Sequence, residues 1–457
     1  MNSDPKTKFV VGFGGVSGST AVVTTFEPGT EVEGCGRGMI ARGGGCSYGD
    51  AAQRGGGTVV HVTADPRAIA LDLASATVTV SAGHTIRQVC EELLSHGWFL
   101  PVVPGTSYAT IGGSIAADVH GKNHVHVGSF GQHVVSIDLV DGSGVAHHLS
   151  ATDDPDAFWA TVAGMGLTGV IVSATLRIIA DKSGWMSETT AVGNSFAETM
   201  SLVKELTASH HHVAAWVDLR SRHRGVGVVS AANHLDASAF GTPHQSHHLR
   251  TPLPCPRTSV SVLGPQRLAL FNAAKVTSAR RHVGRGSNIT EQQVSIESVL
   301  WPLDAITNWN RLYGRDGFIQ YQVALPDGAE DVLIGIAQTL GTLPIYLCTL
   351  KRLGQGSLAP MSFPLAGWTI ALDIPANAPG LWGALHRADD AVAEAGGRVY
   401  LAKDVRMTAR HVPTMYPRLD EWKKVRNRLD PQANMNSDLA SRLGLLDSVH
   451  DGNVSCP

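Results

Sequence analysis

The 457-residue sequence lacks the features of several common protein classes. No run approaches the roughly 18 uninterrupted apolar residues that a membrane-spanning helix needs, and the polar stretch 1–7 is unlike a secretory signal. The 36 basic residues are nearly balanced by 39 acidic ones, so the chain has no overall positive field to collect nucleic acid. We therefore expect a cytoplasmic protein that binds no nucleic acid and does not associate with membranes.

Cysteine is also scarce. The six cysteines are scattered along the chain, without a CxxC pair or a tight cluster with histidine. This spacing predicts neither a disulfide framework nor a zinc site. The histidine-rich stretches lack converging carboxylates or thiols, so we expect no metal.

Glycine, by contrast, is abundant and unevenly distributed. Of the 50 glycines, 28 lie in residues 1–180, concentrated in the runs 41–50, 104–113 and 120–131. Because glycine costs conformational entropy, such runs indicate positive backbone angles or main chain that lies against a ligand. A further run, 10–18, lacks the spacing of a Rossmann dinucleotide turn and leads into a β-prone stretch, so we predict an ordinary turn there.

Strand and helix patterns alternate along the chain, which predicts an α+β fold. In the glycine-rich part the predicted helices are 85–96 and 155–162, and the predicted strands are 58–62, 76–81, 134–140 and 169–179. After residue 185 we predict a helix at 196–208, strands at 213–219, 225–231, 318–325, 343–350 and 367–374, and a charged, amphipathic region at 415–430. The proline-rich segment 234–257 is predicted to be a long loop.

The run 42–50 has the composition of an anion-binding loop. Its successive glycines and the small residues after them expose consecutive N–H groups that can converge on a pyrophosphate. The run 104–113 can clamp the same anion from the other side. Two such loops, neither of which opens a Rossmann helix, predict a dinucleotide held between two subdomains.

Long motifs in the same part of the chain carry a resemblance. The segments RGGGCSYGD, PGTSYATIGGSIAADVHGKNHVHVGSFG and GMGLTGVI resemble the cofactor domain of the vanillyl-alcohol-oxidase and p-cresol-methylhydroxylase (PCMH) flavoproteins. Within that superfamily, HGKNH, FIQYQ, YLAKDVR, MYPRLDEW and SDLASRLGLL are most similar to the decaprenylphosphoryl-β-D-ribose oxidase family. The similarity extends from residue 37 to residue 446 and is weak at 185–295.

This resemblance implies FAD as the cofactor and an α+β fold of three parts. They are a two-subdomain FAD-binding domain of the PCMH type (1–184), a substrate domain with an antiparallel sheet flanked by helices (185–396), and a C-terminal segment that returns to the FAD-binding domain (397–457). The residues that the resemblance places around FAD are Arg42, Gly43, Gly44, Gly45, Cys46, Ser47, Tyr48, Gly49, Gly105, Thr110, Gly112, Gly113, Ala117, Asp118, His120, Gly121, Thr168, Gly169, Ile171 and Tyr400.

Cys46 departs from the family pattern. In many members of the superfamily this position is a histidine bonded to the flavin, whereas the most similar family has arginine and binds FAD without a covalent bond. A thiol can in principle form such a bond, but an ordinary cysteine that faces the flavin is the favoured interpretation.

The resemblance also implies an alcohol oxidase, in which a hydride leaves carbon for the flavin while the hydroxyl proton goes to a base. Lys403 lies in the strand-like context YLAKD, where burial would lower its pKa and let it bond the alcohol. The alternative is a surface lysine paired with Asp404. Tyr48 and His120 are the other predicted catalytic residues, as hydrogen-bonding groups beside the ring.

Substrate contacts are predicted on two strands. Gln320 and Gln322 alternate on one strand, so they point the same way and can both face a polyol. Lys351 matches the family's substrate-pocket lysine, which implies a contact with an anionic or hydroxyl group. Where the family has a cysteine and an asparagine in the pocket, this chain has Ala371 and Thr369.

A Tyr-His pair of the family is also replaced, by Leu300 and Trp301. These differences favour, as the first hypothesis, an FAD-dependent oxidoreductase that converts an alcohol of a sugar or aminocyclitol, such as an aminoglycoside intermediate, to a carbonyl. The first alternative is the decaprenylphosphoryl-β-D-ribose oxidase activity, which works with a separate NADH-dependent reductase to complete an epimerisation. The second is a non-catalytic flavin binder, which requires an exposed Lys403 or a flavin ring that is sealed off. The electrons would pass to oxygen or to a partner reductase.

Overall fold

The computed structural model describes residues 6–26, 38–181, 183–220, 225–235, 249–255, 265–283 and 289–447. Within these ranges the chain forms three large β-sheets with helices packed around them. Most of the predicted loop 234–257 lies outside the described residues. No helix within the described ranges is long and apolar enough to cross a membrane.

The first sheet contains the strand after which a glycine run begins. Its strands, in the order β1-β2-β4-β3, are β1 (Lys6–Val11), β2 (Gly18–Thr25), β4 (Thr58–His61) and β3 (Met39–Arg42). β1 and β2 form an antiparallel hairpin, which confirms the predicted turn at 10–18, and β3 and β4 are parallel. Because β3 ends at Arg42, the glycine run begins where the strand leaves the sheet.

The second sheet is antiparallel, in the order β5-β6-β10-β8-β9. Its strands are β5 (Ile69–Asp72), β6 (Thr77–Ser81), β8 (Val134–Asp141), β9 (Ala146–Ser150) and β10 (Gly169–Arg177). Three of them lie where β-branched segments predicted strands, at 76–81, 134–140 and 169–179. A small ladder joins β7 (Trp98–Phe99) to β11 (Ile179–Ala180).

The third sheet has eight strands, and every pair in it is antiparallel. They are β12 (Trp185–Gly193), β13 (His212–Asp218), β14 (Val226–His234), β16 (Ile289–Ser295), β18 (Phe318–Pro326), β19 (Leu347–Leu353), β20 (Gly367–Pro375) and β21 (Arg398–Val399). Their order is β16-β12-β14-β13-β19-β20-β18-β21. A short parallel pair joins β15 (Leu253–Pro254) to β17 (Ile306–Thr307).

The helices cover the sheets. They are α1 (Ile86–Ser95), α2 (Ile111–Ala116), α3 (His124–Val127), α4 (Pro155–Thr161), α5 (Phe196–Thr207), α6 (Pro265–Val283), α7 (Ile296–Leu300), α8 (Glu330–Leu340), α9 (Leu381–Glu394), α10 (Val412–Met415), α11 (Leu419–Leu429) and α12 (Asp438–Leu443). α1 begins with a capping box between Thr85 and Gln88 and buries its apolar side, as its sequence spacing predicts.

Two differences from the predicted elements have local causes. The strand predicted at 343–350 begins at Leu347, because a turn that follows α8 occupies the residues before it and the Leu343 N–H donates to the Leu340 carbonyl. Helix α6 was not predicted, since its alanines, arginines and polar residues leave a weak apolar periodicity.

A buried ion pair fixes the C-terminal segment. The Arg426 guanidinium donates to the Asp430 carboxylate at 2.6 Å and to the Met435 carbonyl at 2.8 Å, and its Nε donates to the Leu167 carbonyl at 3.2 Å. The two charged side chains are 2% and 0% exposed. Burial of both charges is tolerated because nearly every donor and acceptor has a partner.

Replacing Arg426 with methionine leaves the Asp430 carboxylate buried without a cation. We expect the Arg426→Met variant to lose about 3–5 kcal/mol of unfolding free energy, measured by urea denaturation of the FAD-loaded protein. Arg428 lies on the same helix in an exposed pair with Asp154, so Arg428→Met should lose less than about 1 kcal/mol. Equal losses would contradict this account.

Candidate active site

A single cavity of about 610 Å³ lies between the glycine-rich loops and one face of the eight-stranded sheet. The loops contribute main chain from residues 43–48 and 104–113, and the C-terminal segment contributes Tyr400 and Lys403. The sheet contributes side chains from β18 across to β12. Adjacent strands lie about 4.8 Å apart, so five strand-to-strand steps make this lined face about 24 Å wide.

The first loop approaches its neighbours more closely than side chains would allow. A Cβ at Gly43 would lie 2.1 Å from the Thr110 hydroxyl oxygen, and one at Gly49 would lie 1.9 Å from the Asp404 carbonyl oxygen. Gly45 has a φ of +66°, which favours glycine. The loop is thereby packed between residues 108–110 and 402–404.

The same loop, which lines the cavity, has unpaired donors. Within the part of the chain that the structure describes, the backbone N–H groups from Gly43 to Ser47 have no hydrogen-bond partner, whereas the Tyr48 N–H donates to the Ala402 carbonyl at 3.0 Å. Successive N–H groups that face a cavity suit a bound anion such as a diphosphate. This geometry fits the predicted dinucleotide.

The second loop is held by the segment that follows α7. Asp304, which is 4% exposed, accepts hydrogen bonds from the Thr106 hydroxyl at 3.0 Å, the Ser107 hydroxyl at 2.7 Å and the Ser107 N–H at 2.5 Å. The Trp301 indole donates to the Pro104 carbonyl at 3.0 Å. Burial raises the pKa of Asp304. Residues outside the glycine-rich part therefore fix the position of this loop.

Most residues predicted around FAD line the cavity. Those that do are Gly43, Gly44, Gly45, Cys46, Ser47, Tyr48, Gly105, Thr110, Gly112, Gly113, Ala117, His120, Gly121, Gly169, Ile171 and Tyr400. The predicted substrate residues Gln320, Gln322, Lys351 and Ala371 line it too. The structure thus brings together segments that are separated by more than 300 residues of sequence.

Five predicted residues do not border the cavity and lie behind the residues that line it. Arg42 donates to the Val11 and Ala52 carbonyls, and Gly49 packs against residue 404. Asp118 accepts from the Gly131 N–H and the Ser357 hydroxyl, and the Thr168 hydroxyl donates to Thr161. Thr369 accepts from the Gln322 amide at 3.2 Å. These five do not border the cavity; their contacts hold the residues that do, and direct contact with a ligand stays a prediction for them.

Lys403 lies over the ring of Tyr48, with its ammonium nitrogen 3.8 Å from the ring centroid. It belongs to a turn after β21 rather than to the strand that its context suggested, and its N–H donates to the Tyr400 carbonyl at 2.9 Å. Burial lowers the pKa of Lys403 to about 8, although Asp373 and Cys46 act in the opposite direction. A surface pairing with Asp404 is wrong, since Asp404 pairs with Arg442 at 2.8 Å.

A buried carboxylate orients the first glutamine. Asp373 accepts from the Gln320 amide at 2.6 Å and from the Tyr313 hydroxyl at 2.8 Å. Burial raises the pKa of Asp373 to about 6. Because Gln320 donates its amide hydrogen to this carboxylate, its carbonyl oxygen is available to accept a hydrogen bond from a ligand hydroxyl.

The second glutamine contacts a histidine. The Gln322 amide nitrogen lies 3.0 Å from the Nε2 atom of His120, which is buried. Burial, with the charges of Lys351 and other neighbours, lowers the pKa of His120 well below its usual value. The ring is therefore neutral at ordinary pH and can exchange hydrogen bonds without carrying charge.

The Cys46 thiol also borders the cavity. Burial raises its pKa to about 11, against the opposing effects of Lys403 and Arg42. Since the thiolate is the reactive form, this environment favours an ordinary thiol over a covalent bond to the flavin. Among the described residues, no group of three or more His, Cys, Asp or Glu side chains is arranged to hold a metal ion.

Several lining residues were missed in the sequence. Lys122 lies two positions after His120 in the HGKNH motif. A further group lies at 185–295, where the resemblance is weak; its members are Glu188, Thr190, Ala214, Ala215, Trp216, Val228, Ser230 and Lys275. The alternation in β12–β14 was the signal that could have found most of them.

Comparison with known proteins now identifies the family. A family model described as an FAD binding domain matches residues 35–150, and one described as D-arabinono-1,4-lactone oxidase matches residues 382–443. A decaprenylphosphoryl-β-D-ribose oxidase of Mycolicibacterium smegmatis is 36% identical over 455 residues, which cover 96% of this chain and 98% of that protein. The chain belongs to this family of FAD-dependent oxidases.

More distant relatives agree with this assignment. The D-arabinono-1,4-lactone oxidase of Saccharomyces cerevisiae is 29% identical over 175 residues, 37% of this chain and 32% of that protein. The L-gulonolactone oxidase of Mus musculus is 30% identical over 123 residues, 27% of this chain and 28% of that protein. The protein is thus an oxidoreductase that binds FAD and acts on CH–OH groups, in an α+β fold with an FAD-binding domain.

The contacts of Asp304 generate a prediction for FAD binding. Asp304→Ala leaves both Ser107 donors and the Thr106 hydroxyl without an acceptor, so the loop 104–107 loosens. We expect FAD affinity to fall about tenfold or more, equivalent to about 1.4 kcal/mol, measured by fluorescence titration of apoprotein. Asp304→Asn retains an acceptor and should lose less.

The matched control is Asp327→Ala, which removes an exposed carboxylate that pairs with Arg352. It should bind FAD as the unaltered protein does. An Asp304→Ala protein with unchanged FAD affinity would show that the loop keeps its position without this carboxylate.

Proposed function

We propose that the protein oxidises a hydroxyl of a sugar that is joined through a phosphate to an apolar chain. The observation that carries the proposal is that one cavity is bordered by the glycine loops, by Lys403 over Tyr48, and by a sheet face that carries polar, cationic and apolar side chains. When bound, FAD supplies the acceptor for the hydride that leaves the carbinol carbon. The protein supplies position, charge and a proton acceptor.

In this proposal the cofactor lies along the loops 43–49 and 105–121. The unpaired N–H groups from Gly43 to Ser47 receive the diphosphate, and Gly169 and Ile171 border the adenosine half. Residues 1–184 form the FAD-binding domain, 185–396 the substrate domain, and 397–457 return to the cofactor. The residues that line this part of the cavity are supported from behind by Arg42, Gly49, Asp118 and Thr168.

Lys403 is the proposed proton acceptor. Its lowered pKa gives a neutral amine near pH 8, and a neutral amine can take the hydroxyl proton as the hydride leaves. Tyr48 holds the amine by its ring face, and Gln320 accepts a second hydrogen bond from the sugar. The alternative of a non-catalytic flavin binder requires an exposed Lys403. Because Lys403 borders the cavity, this condition is not met.

The substrate class follows the relative more closely than our first hypothesis did. The name of the mycobacterial relative supports a lipid-linked ribose, and no comparison supports an aminocyclitol or aminoglycoside. One row of direct cross-strand neighbours begins at a polar amide and ends at two apolar side chains. Its members are, in order, Gln322, Ala371, Thr349, Trp216 and Val228. This gradient suits an amphiphilic substrate.

Charge in the cavity supports the same substrate class. Its charged lining residues are one glutamate and four lysines: Glu188, Lys122, Lys275, Lys351 and Lys403. An excess of buried positive charge favours an anionic ligand over a cationic one. A polyamine-like aminocyclitol would be repelled, whereas a phosphate would be attracted.

The proposal predicts substrate-dependent bleaching of the flavin. Under anaerobic conditions, a short prenylphosphoryl ribose should bleach the holoprotein, and an aminocyclitol should not. Lys403→Met should bind FAD but bleach roughly 10²–10⁴-fold more slowly, the usual contribution of a general base. The measurement is stopped-flow absorbance at the flavin band.

The control is Lys204→Met, which removes an exposed lysine on α5 and should bleach at the original rate. Bleaching by the aminocyclitol alone would reject the proposed substrate class. An unchanged rate in Lys403→Met would remove Lys403 from the reaction.

The proton acceptor also predicts a pH dependence. The charged or titratable groups around Lys403 are Tyr48, His120, Asp373, Cys46 and Lys351, and the pKa of Lys403 is about 8. Only the neutral amine accepts a proton, so at saturating substrate the bleaching rate should rise tenfold per pH unit below about pH 8 and level off above it. A rate that falls as the pH rises toward 8 would contradict this role.

A further inference from the structure

A partly buried arginine on α12 bridges the first glycine loop (43–50) and the turn after β21 (400–404). The Nε and Nη2 atoms of Arg442 donate to the two carboxylate oxygens of Asp50 at 2.9 and 2.8 Å. Its Nη1 atom lies 2.8 Å from the Asp404 carboxylate and donates to the Met407 carbonyl at 2.8 Å. One guanidinium therefore contacts both segments, and the planar fork of arginine suits this double contact.

Each of the two carboxylates lies next to a residue of the reacting contact. Asp50 lies two positions after Tyr48, and Asp404 directly follows Lys403. Lys403 borders the cavity, whereas the Asp404 side chain is turned to Arg442 and is 2% exposed. The ion pairs thus hold both segments through side chains other than those that line the cavity.

The helix that carries Arg442 is itself anchored. The Asp438 carboxylate accepts from the Gly55 N–H at 2.8 Å, and the Asp438 N–H donates to the Gln53 carbonyl at 2.8 Å. The first turn of α12 is therefore attached to the segment that follows the first glycine loop. The guanidinium reaches the turn after β21 from this fixed base.

Two forces act to separate the bridged segments. Burial lowers the pKa of Lys403 to about 8, and a desolvated ammonium gains free energy by moving toward water. The carboxylates of Asp50 and Asp404 both contact the same guanidinium, so without it they would repel each other. The charge of Arg442 removes the second force, and its hydrogen bonds oppose the first.

We propose that Arg442 is a positioning residue for the oxidation, which holds the turn that carries Lys403 against the loop that carries Tyr48. The inference rests on the proposed function, in which Lys403 accepts the hydroxyl proton, and adds to it the group that keeps this lysine in place. Arg442 acts through the two carboxylates. A lysine held in the cavity stays out of water and keeps the lowered proton affinity that its role requires.

The test measures the ionisation of Lys403 without turnover. The holoprotein is treated with trace acetic anhydride over a series of pH values, and mass spectrometry gives the acetylation rate of Lys403 against an internal amine standard. Only the neutral amine reacts, so the midpoint of the rate reports the pKa. The charged or titratable groups that face this amine are Tyr48, His120, Asp373, Cys46 and Lys351.

The first variants remove or reduce the bridge. Arg442→Met should raise the midpoint by about one pH unit or more, because a loosened turn lets the ammonium reach water and its pKa return toward the ordinary lysine value. Arg442→Lys keeps the charge but lacks the fork, so its midpoint should rise less. Flavin absorbance and circular dichroism check that each variant is folded.

Asp50→Asn separates the effect of position from that of charge. Loss of a negative charge would by itself lower the pKa of a nearby lysine, whereas a weaker bridge should raise the pKa of Lys403. We expect the midpoint to rise by about half a pH unit or more. This variant also replaces an Arg442→Met protein that does not fold, and a lowered midpoint in it would overturn the positioning role.

Two control variants test for general destabilisation. Arg426→Met breaks a buried ion pair of the same C-terminal segment, and Arg410→Met removes an exposed pair with Asp390. Both should keep the midpoint near pH 8 at a temperature where they are folded. An unchanged midpoint in folded Arg442→Met, or an equal shift in Arg426→Met, would overturn the proposal.

The proposed function fails separately. If the midpoint rises in Arg442→Met and in Asp50→Asn but flavin bleaching proceeds unchanged in Lys403→Met, Arg442 does position this lysine and the lysine is not the proton acceptor. If the midpoints rise and no prenylphosphoryl ribose bleaches the flavin, the positioning role holds and the proposed substrate is wrong.

Discussion

The close approach of three stretches of main chain determines the rest of the site. The loop that begins at Gly43 packs against residues 108–110 on one side and against 402–404 on the other, at distances that exclude a Cβ at Gly43 or Gly49. This contact leaves the loop lining the cavity and brings Lys403 over Tyr48. The cofactor wall and the reacting lysine are therefore parts of one packing arrangement.

Charge in the cavity depends on a second constraint, which is the sign of the charges that lie near each of its lysines. Burial lowers the pKa of Lys403 to about 8 and that of Lys351 to about 7. Asp373 acts to raise the pKa of Lys403, while neighbouring lysines lower the pKa of Lys351. Two lysines of the same type are thus suited to different tasks, because their neighbours differ in sign.

Much of this arrangement could be predicted from the sequence. The β-branched segments predicted three of the five strands of the second sheet, and the alternation of Gln320 and Gln322 predicted their common side. The glycine runs marked the loops because a Cβ atom there would clash with neighbouring residues. Arg42 and Asp118 could not be separated from true lining residues, because a motif records that a residue is needed and not which way it points.

Other parts depended on pairing over long distances. Asp304 holds the 104–107 loop across nearly 200 residues, and no periodicity near either segment indicates that contact. Trp216 and Ser230 lie on strands whose register sets the far end of the cavity. The substrate expectation failed for a similar reason, since changes at Ala371 and Thr369 were weighed without the lysines that surround them.

The strand β21 and the turn after it have a consequence for how the protein is made. Both glycine loops are synthesised within the first 131 residues, but the turn that closes over them and the Arg442 contacts to Asp50 and Asp404 come from the last tenth or so of the chain. A nascent chain on the ribosome can form the first two sheets and still lack the turn after β21 that borders the cavity. Capture of the coenzyme is accordingly expected only once residues 400–442 have been synthesised.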